Sequence, residues 1–239
     1  MSIFWFEEMR RFMRFDNKRT RETRLETDKL ALVSYIWDLF IRQCKTCIIP
    51  DMNVTIDEKL VGFRGRCRFI QYMPSKPAKY GLKIFWMCES KSGFALDCLV
   101  YVGRQPGEPP HNNLGFEVVQ TLVRTIHNSG LNLTIDNFFT SVPLAEYLLG
   151  KNITLVGMLR QNKRDIRKEM KPSKDRLVSS SLFCFRDSVT MVSYAPKKNK
   201  CVVLLSSMHH EALLNDDAKR KPEIILYYNK TKGGVDVMD

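Results

Sequence analysis

Apolar residues near the start of the chain recur at three- and four-residue intervals, the spacing of an amphipathic helix. Two such stripes are present: Phe6, Met9, Phe12 with Met13, and then Leu32, Ile36, Leu39 with Phe40. The pattern predicts two helices. Residues 15–29 between them are rich in charge and lack apolar periodicity. We therefore interpret 15–29 as a solvated connection, with contact to phosphates as the alternative.

After Pro50 the pattern changes to short runs rich in β-branched and aromatic residues. The runs at 54–63, 80–90 and 93–103 predict three consecutive strands, arranged as an antiparallel meander. The segment 103–113 contains prolines that lack amide donors and glycines that are conformationally permissive. It is therefore expected to be a loop.

The next part of the chain alternates between helical and strand patterns. Residues 115–130 predict a helix that ends at Gly130. Strand, helix and strand patterns then follow over 131–139, 141–152 and 153–160, with Ser141 placed to cap the helix. This order predicts a βαβ unit joined to the meander, and hence a mixed sheet with helices.

The last third of the chain is harder to interpret from its pattern. Residues 162–222 are basic and irregular, with short strand-like pieces, and are interpreted as an insertion or subdomain. The apolar run at 223–229 predicts a strand. The pair Gly233 and Gly234 interrupts that run, and a helix is expected to start near Val235.

Composition adds a preference for a polyanionic partner. The 239 residues include 38 Lys and Arg against 26 Asp and Glu, which gives a net charge of +12 and a pI near 9.4. Charge alone leaves nucleic acid and an anionic membrane open. The chain has no run approaching the roughly 18 apolar residues of a membrane helix, and no membrane association is expected. Arg10 and Arg11 interrupt the apolar start, so it does not resemble a secretory signal.

The seven cysteines are odd in number and scattered, which favours reduced thiols and a location in cytosol or nucleus. Cys44 and Cys47 form a lone CxxC pair. A structural zinc site normally needs four protein ligands, and no second pair follows at suitable spacing. The pair is therefore interpreted as ordinary thiols at the end of a helix.

Two aspartates lie in strand-like runs, although aspartate is depleted from strands. Asp57 occurs in VTIDEKL and Asp136 in LTIDNFF, each directly after an apolar isoleucine and on the polar face of its run. Each could simply face solvent. On neighbouring strands the two carboxylates would instead converge, and such acids repel unless a cation lies between them. The shared pattern therefore makes Asp57 and Asp136 candidate metal ligands.

A third acid is available near the end of the sequence. Asp236 and Asp239 in GGVDVMD are three residues apart and would share one face of a helix that starts near Val235. Both could approach the same ion. Acids in the first turn of a helix also offset its dipole and cap its amides, so this pattern has a purely structural alternative.

Four longer strings resemble the core of piggyBac transposases and their domesticated derivatives. They are VTIDEKLVGFRGRCRFIQYMPSKPAKYGLKIF, LTIDNFFTSVPLAEYLL, VGMLRQNKRDI and YYNKTKGGVDVMD, in this order, with IWDLFIRQC near the start. The resemblance implies a ribonuclease H-like mixed α/β fold with flanking helices. It divides the chain into a helical remnant of a dimerisation and DNA-binding domain (1–53), a first core part (54–169), an insertion domain (170–222) and a second core part (223–239).

The resemblance also implies a chemistry. Asp57, Asp136 and Asp236 match the three catalytic aspartates of the family, and Asp239 matches a further acid, so all four are expected to hold two Mg²⁺ or Mn²⁺ ions. Those ions serve to cut and join double-stranded DNA, with hairpin formation at transposon ends and integration at TTAA. Lys163, Arg164, Arg167 and Lys168 would contact DNA, and the family implies a homodimer acting in the nucleus.

The sequence departs from the family pattern at both ends. It begins partway into the helical domain and stops at Asp239, before the closing helices of the fold and a cysteine-rich domain. A helix of one turn would leave Asp236 mobile, so the chain is expected to be inactive by itself. The alternatives are a domesticated DNA-binding protein without catalysis and a decayed copy.

Overall fold

The structure, a computed structural model, describes residues 2–103 and 113–238. The helices are α1 (Ile3–Phe12), α2 (Arg21–Thr27), α3 (Ser34–Cys47), α4 (Leu114–Leu122), α5 (Val142–Leu149) and α6 (Glu223–Thr231). The strands are β1 (Asn53–Gly62), β2 (Gln71–Tyr72), β3 (Tyr80–Glu89), β4 (Ala95–Val100), β5 (Asn132–Ile135), β6 (Thr154–Leu159), β7 (Ser181–Arg186), β8 (Val189–Lys197) and β9 (Lys200–Ser206). Two short 3₁₀ helices cover Val123–Ile126 and Lys168–Met170.

One mixed sheet of nine strands organises these elements, in the order β2-β3-β1-β5-β6-β9-β8-β7, with β4 also paired to β3. The antiparallel β1-β3-β4 meander is as predicted. β1 pairs parallel with β5, and β5 pairs parallel with β6. Parallel neighbours need a crossover connection, which α4 and α5 provide. Together the meander and the parallel pairs form the ribonuclease H-like core that the sequence predicts, and the mixed α/β fold is confirmed.

Helices cover both faces of the sheet. One face carries the largest apolar cluster, in which Ile56, Phe85 and Leu133 pack with side chains of α4 and α5. The other face packs against α6 through Ile224 and Tyr228, and against α3 through Ile41 and Trp86. Ser141 accepts a hydrogen bond from the amide of Leu144 and caps α5, as predicted. The helix predicted at 115–130 ends earlier, because α4 gives way to the 3₁₀ turn.

The interpretation of residues 15–29 as a solvated connection is wrong in part. They include the helix α2, and the carboxylate of Asp16 is buried beneath Arg21 and Arg24, which both pair with it. This helix has no buried residue of its own, so apolar periodicity could not reveal it. Ion pairs and the bond from the Arg24 guanidinium to the carbonyl of Ala31 hold it instead.

The strand predicted at 223–229 is also wrong, because these residues form α6. A short apolar run does not distinguish a strand from a buried helix. Ile224, Ile225 and Tyr228 are buried on one side of α6, at helical spacing. The helix expected to start at Val235 is absent from the described residues, where 232–236 form a turn.

The segment predicted as an insertion, 170–222, is continuous with the core sheet. It contributes β7, β8 and β9, and β9 pairs antiparallel with β6 through Leu159 and Val203. Two buried apolar side chains anchor the basic stretch at the start of this segment, Ile166 just before it and Met170 as its first residue. The four-part division of the chain stays a prediction. The predicted loop at 103–113 falls almost entirely outside the described residues.

Candidate metal centre

Asp57 and Asp136 lie on adjacent strands, as the shared pattern predicted. β1 and β5 run parallel, with Thr55 opposite Thr134 and Ile56 opposite Ile135. β5 ends at Ile135, whereas β1 continues to Gly62. Asp57 is therefore the first residue of β1 beyond the pairing, and Asp136 is the first residue after β5. Both carboxylates reach the open end of the same strand pair.

The structure adds an acid that the sequence interpretation did not single out. Oxygen atoms of Asp57, Glu58 and Asp136 all lie within 4.8 Å of one another. We call these three residues the acid group. Glu58 was passed over because strand alternation places it on the face opposite Asp57. The signal that could have revealed it is its position beside Asp57, in the part of β1 that extends beyond the pairing with β5.

Asp236 lines the same cleft as Asp57 and Asp136, although its carboxylate is not part of the acid group. The cleft encloses about 230 Å³ and is also lined by Asn137, Met158, Tyr228 and Lys232. The three predicted aspartates are thus brought to one site. Asp239, the fourth predicted ligand, lies outside the described residues.

Packing fixes the turn that carries Asp236. Val235 is 2% exposed and packs with Trp86 and Cys88. Gly234 lies so close to β1 and β3 that an added Cβ would be 3.1 Å from the carbonyl oxygen of Glu89. The residues before Asp236 are therefore packed against the sheet, whereas Asp236 itself is exposed and its predicted mobility stays a prediction. The glycine pair allows the turn to approach the sheet, and the valine holds it there.

Burial and mutual repulsion disfavour ionised carboxylates in the acid group. Burial, with the charges of Glu58 and Asp136, raises the pKa of Asp57 to about 7, although a hydrogen bond from the Glu58 amide opposes the shift. Burial also raises the pKa of Asp136, with a further contribution from the charge of Glu58. A cation bound between these groups would remove the repulsion and favour their charged forms.

Both aspartates accept hydrogen bonds from nearby backbone amides. Asp57 Oδ1 accepts from the amide of Glu58 at 2.7 Å, and Asp136 Oδ1 accepts from the amide of Phe138 at 2.8 Å. Asp136 thereby stabilises the turn after β5, as the structural interpretation of a strand-end aspartate requires. A second backbone amide, that of Phe139, also favours the charged form of Asp136. A carboxylate has about four lone-pair sites, so these amides leave oxygen lone pairs for a ligand.

The polar face next to the acids is buried under α6, not exposed to solvent. Its side chains form what we call the polar network, made of Asn53, Thr55, Asn132, Thr134 and Thr231. Thr55 Oγ1 donates to the carbonyl of Thr231 at 2.5 Å, and Thr134 Oγ1 shares a 2.8 Å hydrogen bond with Thr231 Oγ1. Asn132 Nδ2 donates to Asn53 Oδ1 at 3.2 Å. Neutral partners satisfy these groups, in contrast to the acids.

The predicted DNA-contacting residues lie in the segment after β6. We call Lys163, Arg164, Arg167 and Lys168 the basic segment. Arg164, Arg167 and Lys168 are exposed and Lys163 is partly exposed. Arg176, in the same basic run, is different, because its guanidinium donates to Ser193 Oγ at 2.6 Å and to the carbonyl of Ser180 at 3.2 Å. Arg176 is therefore a structural residue.

The donor set of the acid group fits a hard divalent cation. Carboxylate oxygens are the ligands that such ions prefer, and magnesium usually takes one or two carboxylates with water and phosphate oxygens. The acid group could therefore hold metal, with Asp236 close by in the cleft. Cys44 and Cys47, in contrast, are unbonded thiols in the last turn of α3.

Comparison with known proteins assigns the chain to a family. The family described as Transposase IS4 matches residues 1–239. A solved structure, the "Cryo-EM structure of piggyBac transposase synaptic complex with hairpin DNA (SNHP)", superposes with a TM-score of 0.90 at 44% identity, covering 99% of this chain and 49% of that chain. The chain belongs to the Transposase IS4 family and, within it, to the piggyBac-type transposases.

Curated relatives support the same assignment. Human "PiggyBac transposable element-derived protein 3" is 22% identical over 229 residues, which cover 89% of this chain and 38% of the relative. The human "Chimeric ERCC6-PGBD3 protein" is equally similar, with 21% of its length covered. The chain thus spans about two fifths or less of these relatives and about half of the solved transposase. The resemblance recognised in the sequence is confirmed. No helix within 2–103 or 113–238 is long and apolar enough to cross a membrane.

Proposed function

We propose that this chain is the catalytic core of a piggyBac-type DNA transposase, which cleaves and transfers DNA strands with Asp57, Asp136 and Asp236 as its three catalytic carboxylates. The observation that carries the proposal is the convergence of these residues on one cleft, although they come from β1, the end of β5 and the turn after α6. The family membership supports the same reaction class.

Asp57, Asp136 and Asp236 would hold two Mg²⁺ or Mn²⁺ ions, with Glu58 as an additional oxygen donor. Bound divalent ions would activate water and stabilise the charge on the attacking and leaving oxygens of an in-line displacement. Asp57 and Asp136 must lose their protons to serve as ligands, which their raised pKa values oppose until a cation is present. The buried turn at Val235 keeps Asp236 facing the cleft.

Double-stranded DNA is the proposed partner, and the basic segment is its proposed contact surface. The solved relative is a complex with hairpin DNA, which supports this partner. The net charge of +12 suits a phosphate backbone, whose contacts give affinity without reading sequence. Because chromosomal DNA is the substrate, the proposal places the chain in the nucleus, and imaging of a tagged chain checks this.

Family resemblance extends the proposal to the finer steps. A freed 3′ hydroxyl would attack the opposite strand to form a hairpin, and joining would follow at TTAA, with two copies of the chain acting together. The check compares strand joining into two target oligonucleotides, one with TTAA and one with a scrambled tetranucleotide in its place. Preferential joining into TTAA supports this part of the proposal, and equal joining into both contradicts it.

The reaction class is tested with the purified chain and a labelled duplex that ends in a hairpin. The sequence led us to expect an inactive chain, but the turn that carries Asp236 packs against the sheet. We therefore expect nicking with Mg²⁺ or Mn²⁺, no nicking in EDTA, and loss of nicking in the Asp136→Asn variant. Asn137→Ala is the matched control, since Asn137 lines the cleft beside Asp136 without a carboxylate. DNA binding without any metal-dependent nicking would favour a domesticated or decayed derivative without catalysis.

A further inference from the structure

Lys83 extends from β3 toward the acid group on an aromatic platform. Its Nζ lies 4.7 Å from the ring centroid of Phe85 and 4.9 Å from that of Phe138. The two rings stack with centroids 6.2 Å apart and an interplanar angle of 14°. Glu58 is the residue directly opposite Phe85 on β1, so Lys83 is a diagonal neighbour of Glu58 on the same face. The platform therefore fixes a positive charge at the edge of the metal centre.

The ammonium group of Lys83 has neither a hydrogen bond nor a salt bridge to any residue that the structure describes. Lys76, which also approaches the acids, differs in that its Nζ lies 3.5 Å from a carboxylate oxygen of Glu58. Burial lowers the pKa of Lys83, and the charges of Glu58, Asp136 and Asp57 only partly oppose this. The partly buried ammonium thus lies on the rings and near the acids without a direct ion pair to any described residue, which leaves its donors available to an anion.

A second cation lies over the same ring. The guanidinium carbon of Arg160 is 5.6 Å from the centroid of Phe138, and Arg160 Nε donates to Asn137 Oδ1 at 3.0 Å. Phe138 itself follows Asp136 by two residues and is fixed by the turn that Asp136 stabilises. Two positive groups are thus placed around one ring directly beside the carboxylates. This arrangement suits an anion that must approach a cluster of acids.

We propose that Lys83 binds a backbone phosphate of the DNA strand and places that strand against the acid group. The proposal rests on the proposed function for the identity of the substrate. A phosphodiester is repelled by the carboxylates, and a fixed cation at their edge offsets this repulsion. The aromatic platform restricts the lysine stem, so little side-chain freedom is lost when the phosphate binds.

The opposing account is that Lys83 is only a resident counter-ion of the acid group. The two accounts predict different effects of the Lys83→Met variant, which keeps an apolar stem on the rings. Loss of a phosphate contact weakens DNA binding and its salt dependence. Loss of a counter-ion leaves DNA binding unchanged and strengthens the binding of Mn²⁺, since a competing cation is gone.

The test measures binding of a short duplex oligonucleotide in EDTA between about 50 and 200 mM salt, where phosphate contacts weaken steeply. Each phosphate contact contributes about 0.9 to the slope of log affinity against log salt. We expect Lys83→Met to reduce the slope by about that amount and Lys83→Arg to retain it. Lys151→Met is the control. Lys151 also lies over an aromatic ring, with its Nζ 5.9 Å from the centroid of Tyr147, but it precedes β6 at the opposite end of the parallel strands.

The outcomes separate this inference from the proposed function. A reduced slope in Lys83→Met alone, with unchanged thermal unfolding, supports the phosphate contact. An unchanged slope overturns the phosphate contact. If Mn²⁺ also binds more tightly, the account of Lys83 as a resident counter-ion is supported. If the unaltered chain does not bind the duplex at all, the DNA-binding proposal fails as well. Should Lys83→Met unfold, Lys83→Gln is measured in its place, with the same expected slope.

Discussion

The acid group and the polar network occupy the same two strands and nevertheless differ in how their polar atoms are satisfied. In the network, hydroxyls and amides of β1, β5 and α6 satisfy one another within the fold. In the acid group, carboxylates face one another, and burial with mutual charge raises the pKa of Asp57 to about 7. The difference shows that burial of polar residues does not by itself indicate a functional site, whereas convergence of groups that repel one another marks a candidate site.

Thr55 and Asp57 make this comparison within a single strand, two residues apart and on the same face. We expect Asp57→Asn to lower metal-dependent cleavage by about 100-fold or more, because a metal ligand supports several kcal/mol of transition-state stabilisation. Folding should be retained, since the amide can still accept the hydrogen bond from Glu58. Cleavage rates and a thermal unfolding curve check both points. Cleavage that persists in Asp57→Asn would remove this residue from the site.

Thr55→Val should lower stability and leave cleavage unchanged, the reverse of what we expect for Asp57→Asn. The substitution keeps the shape of the side chain but removes the hydroxyl that bonds to Thr231, the last residue of α6, and to Ser90, which follows β3. We expect a loss of about 1–3 kcal/mol in the free energy of unfolding, the usual cost of leaving buried groups unpaired. Denaturant unfolding measures the loss. Cleavage by the folded fraction should be unchanged, and a selective loss of cleavage would erase the contrast with Asp57.

A third prediction concerns pH. The folded pKa of Asp57, about 7, is above its ordinary value of 3.8, so between these values the folded chain binds more protons than the unfolded chain. The free energy of unfolding in EDTA should therefore fall as pH rises through this window. Asp57→Asn should reduce that dependence, Thr55→Val should keep it, and Mg²⁺ should oppose the fall at the upper end by binding the folded state. Denaturant unfolding at several pH values measures this dependence. A free energy of unfolding that rises with pH would contradict the raised pKa of Asp57.

The smallest effect is expected in the basic segment. Arg164→Ala combined with Arg167→Ala should reduce the salt dependence of DNA binding by about two phosphate contacts. The double variant Arg42→Ala with Arg124→Ala removes the same charge from exposed positions in α3 and in the 3₁₀ helix Val123–Ile126. Equilibrium binding across salt concentrations compares the two. If the salt dependence of DNA binding falls equally in both double variants, net charge explains the binding and the basic segment has no special role.

Much of the core could be predicted because its signals are local. Alternation in β1 and β5 placed Thr55, Asp57, Thr134 and Asp136 on one face, and the parallel pairing of the two strands then brought the aspartates together. The capped helix α5 between β5 and β6 followed from Ser141. The spacing of Asp236 and Asp239 made Asp236 a candidate and the resemblance to the family favoured it, although its position depends on contacts distant in sequence.

The missed features depend on tertiary contacts that no local pattern contains. α2 is held by the buried carboxylate of Asp16, so its sequence shows charge without periodicity. α6 was predicted as a strand because nothing in the run shows that it must cover one face of a sheet. Glu58 was overlooked because its role depends on β1 extending beyond β5. The burial of the polar face under Thr231 was likewise invisible in the sequence.

Binding of Mn²⁺ to the purified chain tests the central claim most directly, because it requires neither DNA nor catalysis. Calorimetric titration should show binding at neutral pH that weakens as the solution is acidified, since protons compete for Asp57 and Asp136. Asp57→Asn and Asp136→Asn should each lose most of the affinity, and Thr55→Val should retain it. Equal Mn²⁺ affinity in all four proteins would show that the convergent acids do not form a metal centre.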